Sequence, residues 1–359
     1  MNSPEYELYP FELSLNRIKK VWGGWPGKIG EIWSLSGPPH ESFILNGSLA
    51  GRRLTELVGD FQQKLLGKDM ELDPREPFPL LLKFISTGRN LPIQVHPHDA
   101  YTLENGLPMV GRDKICYILK VKPGGRLYLG FKEKINEKKI REAISGGSLH
   151  HLMNSILVKK GEIYTVPARR IHALGKGITF IEIQRHSDLT FRLCDWNSKT
   201  KRGDDGVYQM DEALKVLDFN PISPKPIPKV TIDSEENRIE YLALTPHFTL
   251  RRLFIKESLD LPLKGSRFVV YTGLRGTGWV RWGFSDIYSR IQPYQSILIP
   301  AIPEDLYFES EKGVDVLETS VPYLTGESLR QMMGHEIPSD SIVGLGGEDY
   351  GKILKGYLG

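Results

Sequence analysis

The chain has 359 residues, about two domains' worth, and its 47 Lys+Arg against 44 Asp+Glu make a charged fraction of 25%, that of an ordinary folded protein. This near-balance argues against a nucleic-acid coat, and the longest apolar runs, such as Phe78-Pro-Leu-Leu-Leu and Ser296-Ile-Leu-Ile-Pro, stop far short of the ~20 residues of a membrane helix. The N-terminus has neither a basic n-region nor an apolar h-region, so a cytoplasmic protein is expected. Cys116 and Cys194 cannot make a disulfide framework or a four-thiolate zinc site and read as buried small hydrophobes.

In chain order, short Val/Ile/Tyr/Phe/Leu runs punctuated by Gly and Pro predict strands at Leu80-Leu-Leu-Lys-Phe-Ile, Cys116-Tyr-Ile-Leu-Lys-Val and Arg126-Leu-Tyr-Leu-Gly-Phe. A helical block follows over residues 133–157, with Ile135, Ile140 and Ile144 near one face. Strands resume at Glu162-Ile-Tyr-Thr-Val and Ile178-Thr-Phe-Ile-Glu-Ile-Gln. Asn220-Pro-Ile-Ser-Pro-Lys-Pro-Ile-Pro places four prolines in nine residues, which is extended chain and the best domain boundary. A second β-rich block with runs at Thr249, Phe268 and Ser296 extends to 323, and a Gly-rich tail with one amphipathic stretch, Ser328-Leu-Arg-Gln-Met-Met, ends the chain. The expectation is an all-β protein with a helical insertion: an N-terminal lobe over 1–219, a C-terminal lobe over 229–323 and a tail over 324–359.

The chemistry concentrates in two segments. On an extended chain, Leu91-Pro-Ile-Gln-Val-His-Pro-His-Asp projects Gln94, His96 and His98 to one face. Gly161-Glu-Ile-Tyr-Thr-Val-Pro-Ala-Arg-Arg-Ile-His172 reads as strand, Val-Pro turn, then a His entering the next strand. Any one His is more often a hydrogen-bonded core residue than a ligand, but two motifs in this order resemble the metal-bearing strands of a cupin barrel. Imidazole suits zinc, iron, nickel and cobalt alike, so a divalent transition metal is implied, and zinc by frequency.

Five strings then carry a closer resemblance: Val21-Trp-Gly-Gly with Ile29-Gly-Glu-Ile-Trp-Ser-Leu-Ser, Phe78-Pro-Leu-Leu-Leu-Lys-Phe, Gln94-Val-His-Pro-His-Asp, Tyr164-Thr-Val-Pro-Ala-Arg-Arg-Ile-His-Ala-Leu-Gly, and Glu182-Ile-Gln-Arg-His-Ser-Asp-Leu-Thr-Phe-Arg. In this order they resemble type I mannose-6-phosphate isomerase, and Tyr294-Gln-Ser-Ile-Leu-Ile-Pro-Ala resembles part of that family's metal-free C-terminal lobe. The resemblance implies two cupin-type β-barrel (jelly-roll) lobes, one zinc per chain bound by Gln94, His96 and His172, and interconversion of mannose 6-phosphate and fructose 6-phosphate through an enediolate. It implies roles for Glu182 as base or proton shuttle and Arg192 as partner of an enediolate or phosphate oxygen. Lys83, Arg112 and Lys114 are weaker candidates for substrate contact. One position departs: Gly111-Arg-Asp-Lys stands where the family has G-K-x-E, so Lys114 replaces a ligand carboxylate. His98 is a possible substitute ligand, whereas Asp113, next to Lys114 on a strand, should face the other way. A sugar-phosphate-binding cupin without catalysis, and an isomerase or epimerase of another sugar phosphate, are the alternatives.

Two further signals carry no function. Gly273-Leu-Arg-Gly-Thr-Gly joins two strand runs without a following helix, so it reads as a hairpin and not a phosphate loop. The Lys132–Lys139 cluster interleaves Lys with Glu and reads as a solvated helix face.

Overall fold

A computed structural model describes residues 7–68, 70–196, 202–203, 206–234, 236–283, 288–321, 334 and 337–358. Its layers follow from strand alternation. A six-stranded antiparallel sheet runs in the order Asn16–Lys19, Ile29–Leu35, Leu81–Ser86, Ile178–Gln184, Lys114–Val121, Ile163–Val166. A five-stranded antiparallel sheet runs Phe191–Cys194, Ile93–Val95, His172–Leu174, Arg126–Phe131, Met153–Leu157. Cys116, Ile118, Tyr164 and Phe180 of the first meet Leu127, Leu129 and Leu174 of the second in one core.

The opposite face of the six-stranded sheet carries Ile115, Tyr117, Ile181 and Ile183, and these pack on Leu250, Val270, Leu298 and Leu317 of a seven-stranded antiparallel sheet. That sheet in turn covers a four-stranded one, with Ile255, Tyr271 and Val316 against Val280, Leu306 and Phe308. The protein is thus all-β with a helical insertion, its antiparallel sheets stacked as two pairs back to back. The cupin-type β fold expected from the sequence is found as stacked antiparallel sheets, and the expected barrels are not closed among the described residues.

Helices cover the outer face of the five-stranded sheet. Ile140 and Ala143 from Glu137–Ser145, Leu149 from Leu149–Leu152, and Ala213, Leu214 and Val216 from Met210–Val216 pack on Ile93, Val95, Ala173, Phe191 and Leu193. The helical block is shorter than its pattern suggested. Asn136 caps it by accepting from the Lys139 amide, which leaves Ile135 outside, and Met153–Leu157 is a strand paired with Arg126–Phe131. Residues 220–228 contain no helix or strand, as the prolines require. The Gly-rich segment is not the expected hairpin: Val269–Gly276 belongs to the seven-stranded sheet and Gly278–Trp282 to the four-stranded one, so the chain crosses from one sheet to the other there, with Gly276 at φ 77° where a side chain would be strained. The amphipathic stretch at Ser328 lies outside the described residues, and the described part of the C-terminal segment includes the helices Ser339–Gly344 and Gly347–Leu358. No helix among the described residues is long and apolar enough to cross a membrane.

Candidate functional site

Alternation sends Glu182 and Gln184 to the face opposite Ile181 and Ile183, toward the five-stranded sheet. Register places Lys83 beside Glu182 on one neighbouring strand and Lys114 beside Gln184 on the other. From the facing sheet, Gln94 is registered with both His172 and Arg192, while its neighbours Ile93 and Val95 turn to the helices. Polar side chains of two sheets therefore converge at one end of their interface, around a cavity of about 250 Å³. Its walls include Lys20, Lys83, Arg112, Lys114 and Arg192 against Glu31, Glu182 and Asp188, a surplus of two positive charges.

Glu182 is the centre of this charge array and is 3% exposed. Its Oε2 accepts from Lys114 Nζ at 2.7 Å and its Oε1 from Arg112 Nη2 at 2.9 Å. Burial alone would raise its pKa, but Lys114, Arg112 and Lys83 outweigh it and bring the carboxyl down to about 2. Arg112 also donates to Gln184 Oε1 at 2.7 Å and Thr190 Oγ1 at 2.7 Å, so its guanidinium plane is held on three partners. Gly111 lets the chain just before Arg112 pass close to the His98–Asp99 backbone, since a Cβ there would lie 2.5 Å from the Asp99 amide nitrogen. Lys83 donates to Asp188 at 2.8 Å and sits 3.8 Å over the Trp33 ring.

The two histidines lie beside the charge array. His96 and His172 are fully buried with ring centroids 4.7 Å apart. Each Nδ1 faces a backbone carbonyl, Leu189 O at 3.1 Å for His96 and Arg170 O at 2.9 Å for His172. Donation to those carbonyls puts the proton on Nδ1 and leaves both Nε2 atoms as lone-pair donors. Burial first, then the nearby Arg112 and Lys114, push both imidazoles well below their usual pKa, so they are neutral. His96 Nε2 has no hydrogen-bond partner, whereas His172 Nε2 lies 3.2 Å from the Gln94 amide.

This arrangement fits a divalent metal. A buried lone pair without a partner, a second neutral imidazole and an amide make three donors, and catalytic zinc sites commonly use three protein ligands with one position open. No group of three His, Cys, Asp or Glu converges among the described residues, so the set reaches three only through Gln94. Lys114 lies with Glu182 and not among the donors. His98 keeps a different set of neighbours: its charge environment is Arg169, Glu104, Asp99 and Asp113, and its buried Nδ1 has no partner. Both cysteine thiols are buried and pushed up to about 12, consistent with inert packing.

Alternation identified Gln94, Glu182 and Gln184 because they lie within strands, whereas Lys83 was a weak candidate from the family string alone. It missed Asp188 and Thr190, which reach the site from the loop before Phe191–Cys194, and Glu31, whose partner at 2.6 Å is Trp33 Nε1. Their only sequence signal was membership of the quoted strings.

Fold and site together define a protein of stacked, cupin-type antiparallel sheets with a cation-lined cavity and paired neutral histidines. No protein-family model matches the chain. Mannose-6-phosphate isomerase of Streptococcus mutans serotype c (strain ATCC 700610 / UA159) is 28% identical over 286 residues, 76% of this chain and 87% of that protein. The crystal structure of mannose 6-phosphate isomerase from Bacillus subtilis superposes with a TM-score of 0.76 at 23% identity, covering 86% of this chain and 99% of that one. A zinc-bound mannose 6-phosphate isomerase structure shares the fold at a TM-score of 0.67 and 12% identity, covering 87% and 99%. The resemblance to type I mannose-6-phosphate isomerase, read above in motifs from the first half, therefore extends over most of the chain.

Proposed function

We propose that the chain is a metal-dependent aldose–ketose isomerase that interconverts mannose 6-phosphate and fructose 6-phosphate. The observation that supports this best is the pair of buried, Nδ1-anchored neutral histidines, His96 with an unpartnered Nε2 and His172 with its Nε2 beside the Gln94 amide, next to a cavity with surplus positive charge. A sugar phosphate meets that charge through its phosphate. Relatives named for this activity support the choice of substrate. The two free buried cysteines agree with a reducing, cytoplasmic setting.

Isomerisation moves a proton between C1 and C2 through an enediolate, which needs a base, an acid and a counter-charge for the developing oxyanion. Zinc held by Gln94, His96 and His172 would supply Lewis-acid stabilisation of that charge. Arg192, on the strand beside Gln94, takes the enediolate or phosphate oxygen with its fork. Glu182 is the proton shuttle. At about 2 its pKa is too low for a base at neutral pH while both cations hold it, and an anionic substrate competing for Arg112 and Lys114 raises it toward the working range. Lys83, Arg112 and Lys114 contact the substrate's oxygens.

The test is a coupled assay of fructose 6-phosphate formation from mannose 6-phosphate, with and without chelator. Activity that chelator removes and zinc restores is expected. Mannose 6-phosphate binding without turnover by zinc-replete protein would leave the non-catalytic binding cupin standing instead.

A further inference from the structure

Asp113 lies between Arg112 and Lys114 but faces away from the cavity, as alternation requires, and it is not idle there. Its Oδ1 accepts from the Ala168 amide at 2.9 Å and from Tyr350 OH at 3.0 Å, and its Oδ2 lies 3.3 Å from His247 Nε2. Its own carbonyl accepts from the Arg185 amide at 3.4 Å, just past Gln184. One residue thus touches four separate segments.

The Ala168 turn leads into His172 and Arg185 follows Gln184, while the C-terminal helix and the His247 loop hold Asp113 from outside the site. Ala168 belongs to the turn between Ile163–Val166 and His172–Leu174, which carries His172, and the next residue, Arg169, donates its amide to His96 O at 2.8 Å. Tyr350 belongs to the C-terminal helix Gly347–Leu358, one turn of which also grips the same region through Asp349: its Oδ2 accepts from Thr165 Oγ1 at 2.6 Å and its Oδ1 lies 3.9 Å from Arg170. His247 comes from the loop after Asn237–Leu244 in the seven-stranded sheet. Burial would raise the Asp113 pKa, but the His247, Ala168 and Tyr350 contacts hold it below the usual value, so it is a charged acceptor. Burial and Asp113 raise the Tyr350 phenol far above its usual pKa, so it remains an O–H donor.

We propose that Asp113 is a positioning residue which, by joining the His172 turn, the His247 loop and Tyr350 of the C-terminal helix, fixes the Arg112–Lys114 face against His96 and His172, and so makes that helix part of the working site. This rests on the isomerase reading. A shift of about 1 Å in a reacting group can cost up to about a hundredfold in rate, and Asp113 sets the relative placement of the two halves of the site.

The test measures steady-state kinetics and backbone hydrogen exchange on the full-length, zinc-replete chain. Asp113→Ala is expected to cut kcat about tenfold or more with KM for mannose 6-phosphate changed less than about threefold, and Asp113→Asn, which keeps the accepting oxygen, to restore most of kcat. Tyr350→Phe should lower kcat by about threefold, and exchange over residues 167–172 should rise in Asp113→Ala and Tyr350→Phe but not in the exposed helix variant Lys352→Ala. Unchanged kcat in Tyr350→Phe, or unchanged exchange over 167–172, overturns the proposal, and Tyr350→Phe decides alone should Asp113→Ala fail to fold. Wild-type protein lacking isomerase activity while both variants raise exchange would overturn the functional reading and leave the positioning role in place.

Discussion

Lys114 and Glu182 form an ion pair that is almost wholly buried, with side chains 1% and 4% exposed. Removing one partner from such a pair costs about 3 kcal/mol or more, because the remaining charge is stranded. Glu182→Gln leaves both Arg112 and Lys114 without their carboxylate, so a large fall in thermal stability at pH 7 is expected. The pH dependence identifies the cause. With the folded value at about 2 and the ordinary value at 4.5, the unfolded chain takes up this proton first as pH falls. The carboxylate's contribution is therefore complete above about pH 4.5 and lost progressively toward pH 2. Urea titrations across that window should show a steeper loss for wild type than for Glu182→Gln, and parallel curves would mean the pair does not exist. Lys114→Glu works in the opposite sense for metal. It sets two carboxylates near each other and should destabilise the metal-free protein, yet it removes a cation that opposes a dication, so zinc affinity should rise by about tenfold or more in calorimetry. His96→Ala, which deletes the unpartnered Nε2, should abolish stoichiometric zinc in elemental analysis.

At the scale of elements, the strands were readable wherever alternation was clean. Ile178–Gln184 places Ile181 and Ile183 in the core between the two large sheets and Glu182 and Gln184 at the cavity, and Ile93–Val95 does the same with Gln94. A face test follows. Ile183→Ala should cost about 2–5 kcal/mol of unfolding free energy with little effect on KM, since it opens a void on the far side of the sheet from the substrate. A large KM change with normal stability would mean the faces are reversed. The short helices were not readable, for physical reasons. Asp99–Glu104 and Met210–Val216 have too few turns for an apolar stripe to repeat, and Gly347–Leu358 carries glycines at 351 and 356 that depress helix propensity. Their stability comes from what they cover, which no local pattern records. That is why the link from Tyr350 to Asp113 was invisible in the sequence, although the direction of Asp113 away from Lys114 was not.

For the whole molecule, the proline-rich segment suggests a division that the packing qualifies. We propose that the chain divides near residues 220–228, and limited proteolysis should cut there or in the C-terminal segment first. The cut halves should nevertheless stay together. Ile115, Tyr117, Ile181 and Ile183 from one side of that segment share a continuous core with Phe248, Leu250, Val270, Leu298 and Leu317 from the other. The N-terminal strand Phe11–Glu12 pairs with Ser296–Ile299 of the far sheet, and Tyr350 returns to Asp113. Each half alone would expose an apolar sheet face of the kind that drives association or aggregation. Nicked protein should therefore elute at the intact size in native buffer and separate only in denaturant, and residues 1–228 expressed alone should aggregate. A monodisperse, folded 1–228 fragment would show that the sheet-on-sheet core is dispensable and that the site's half of the molecule folds on its own.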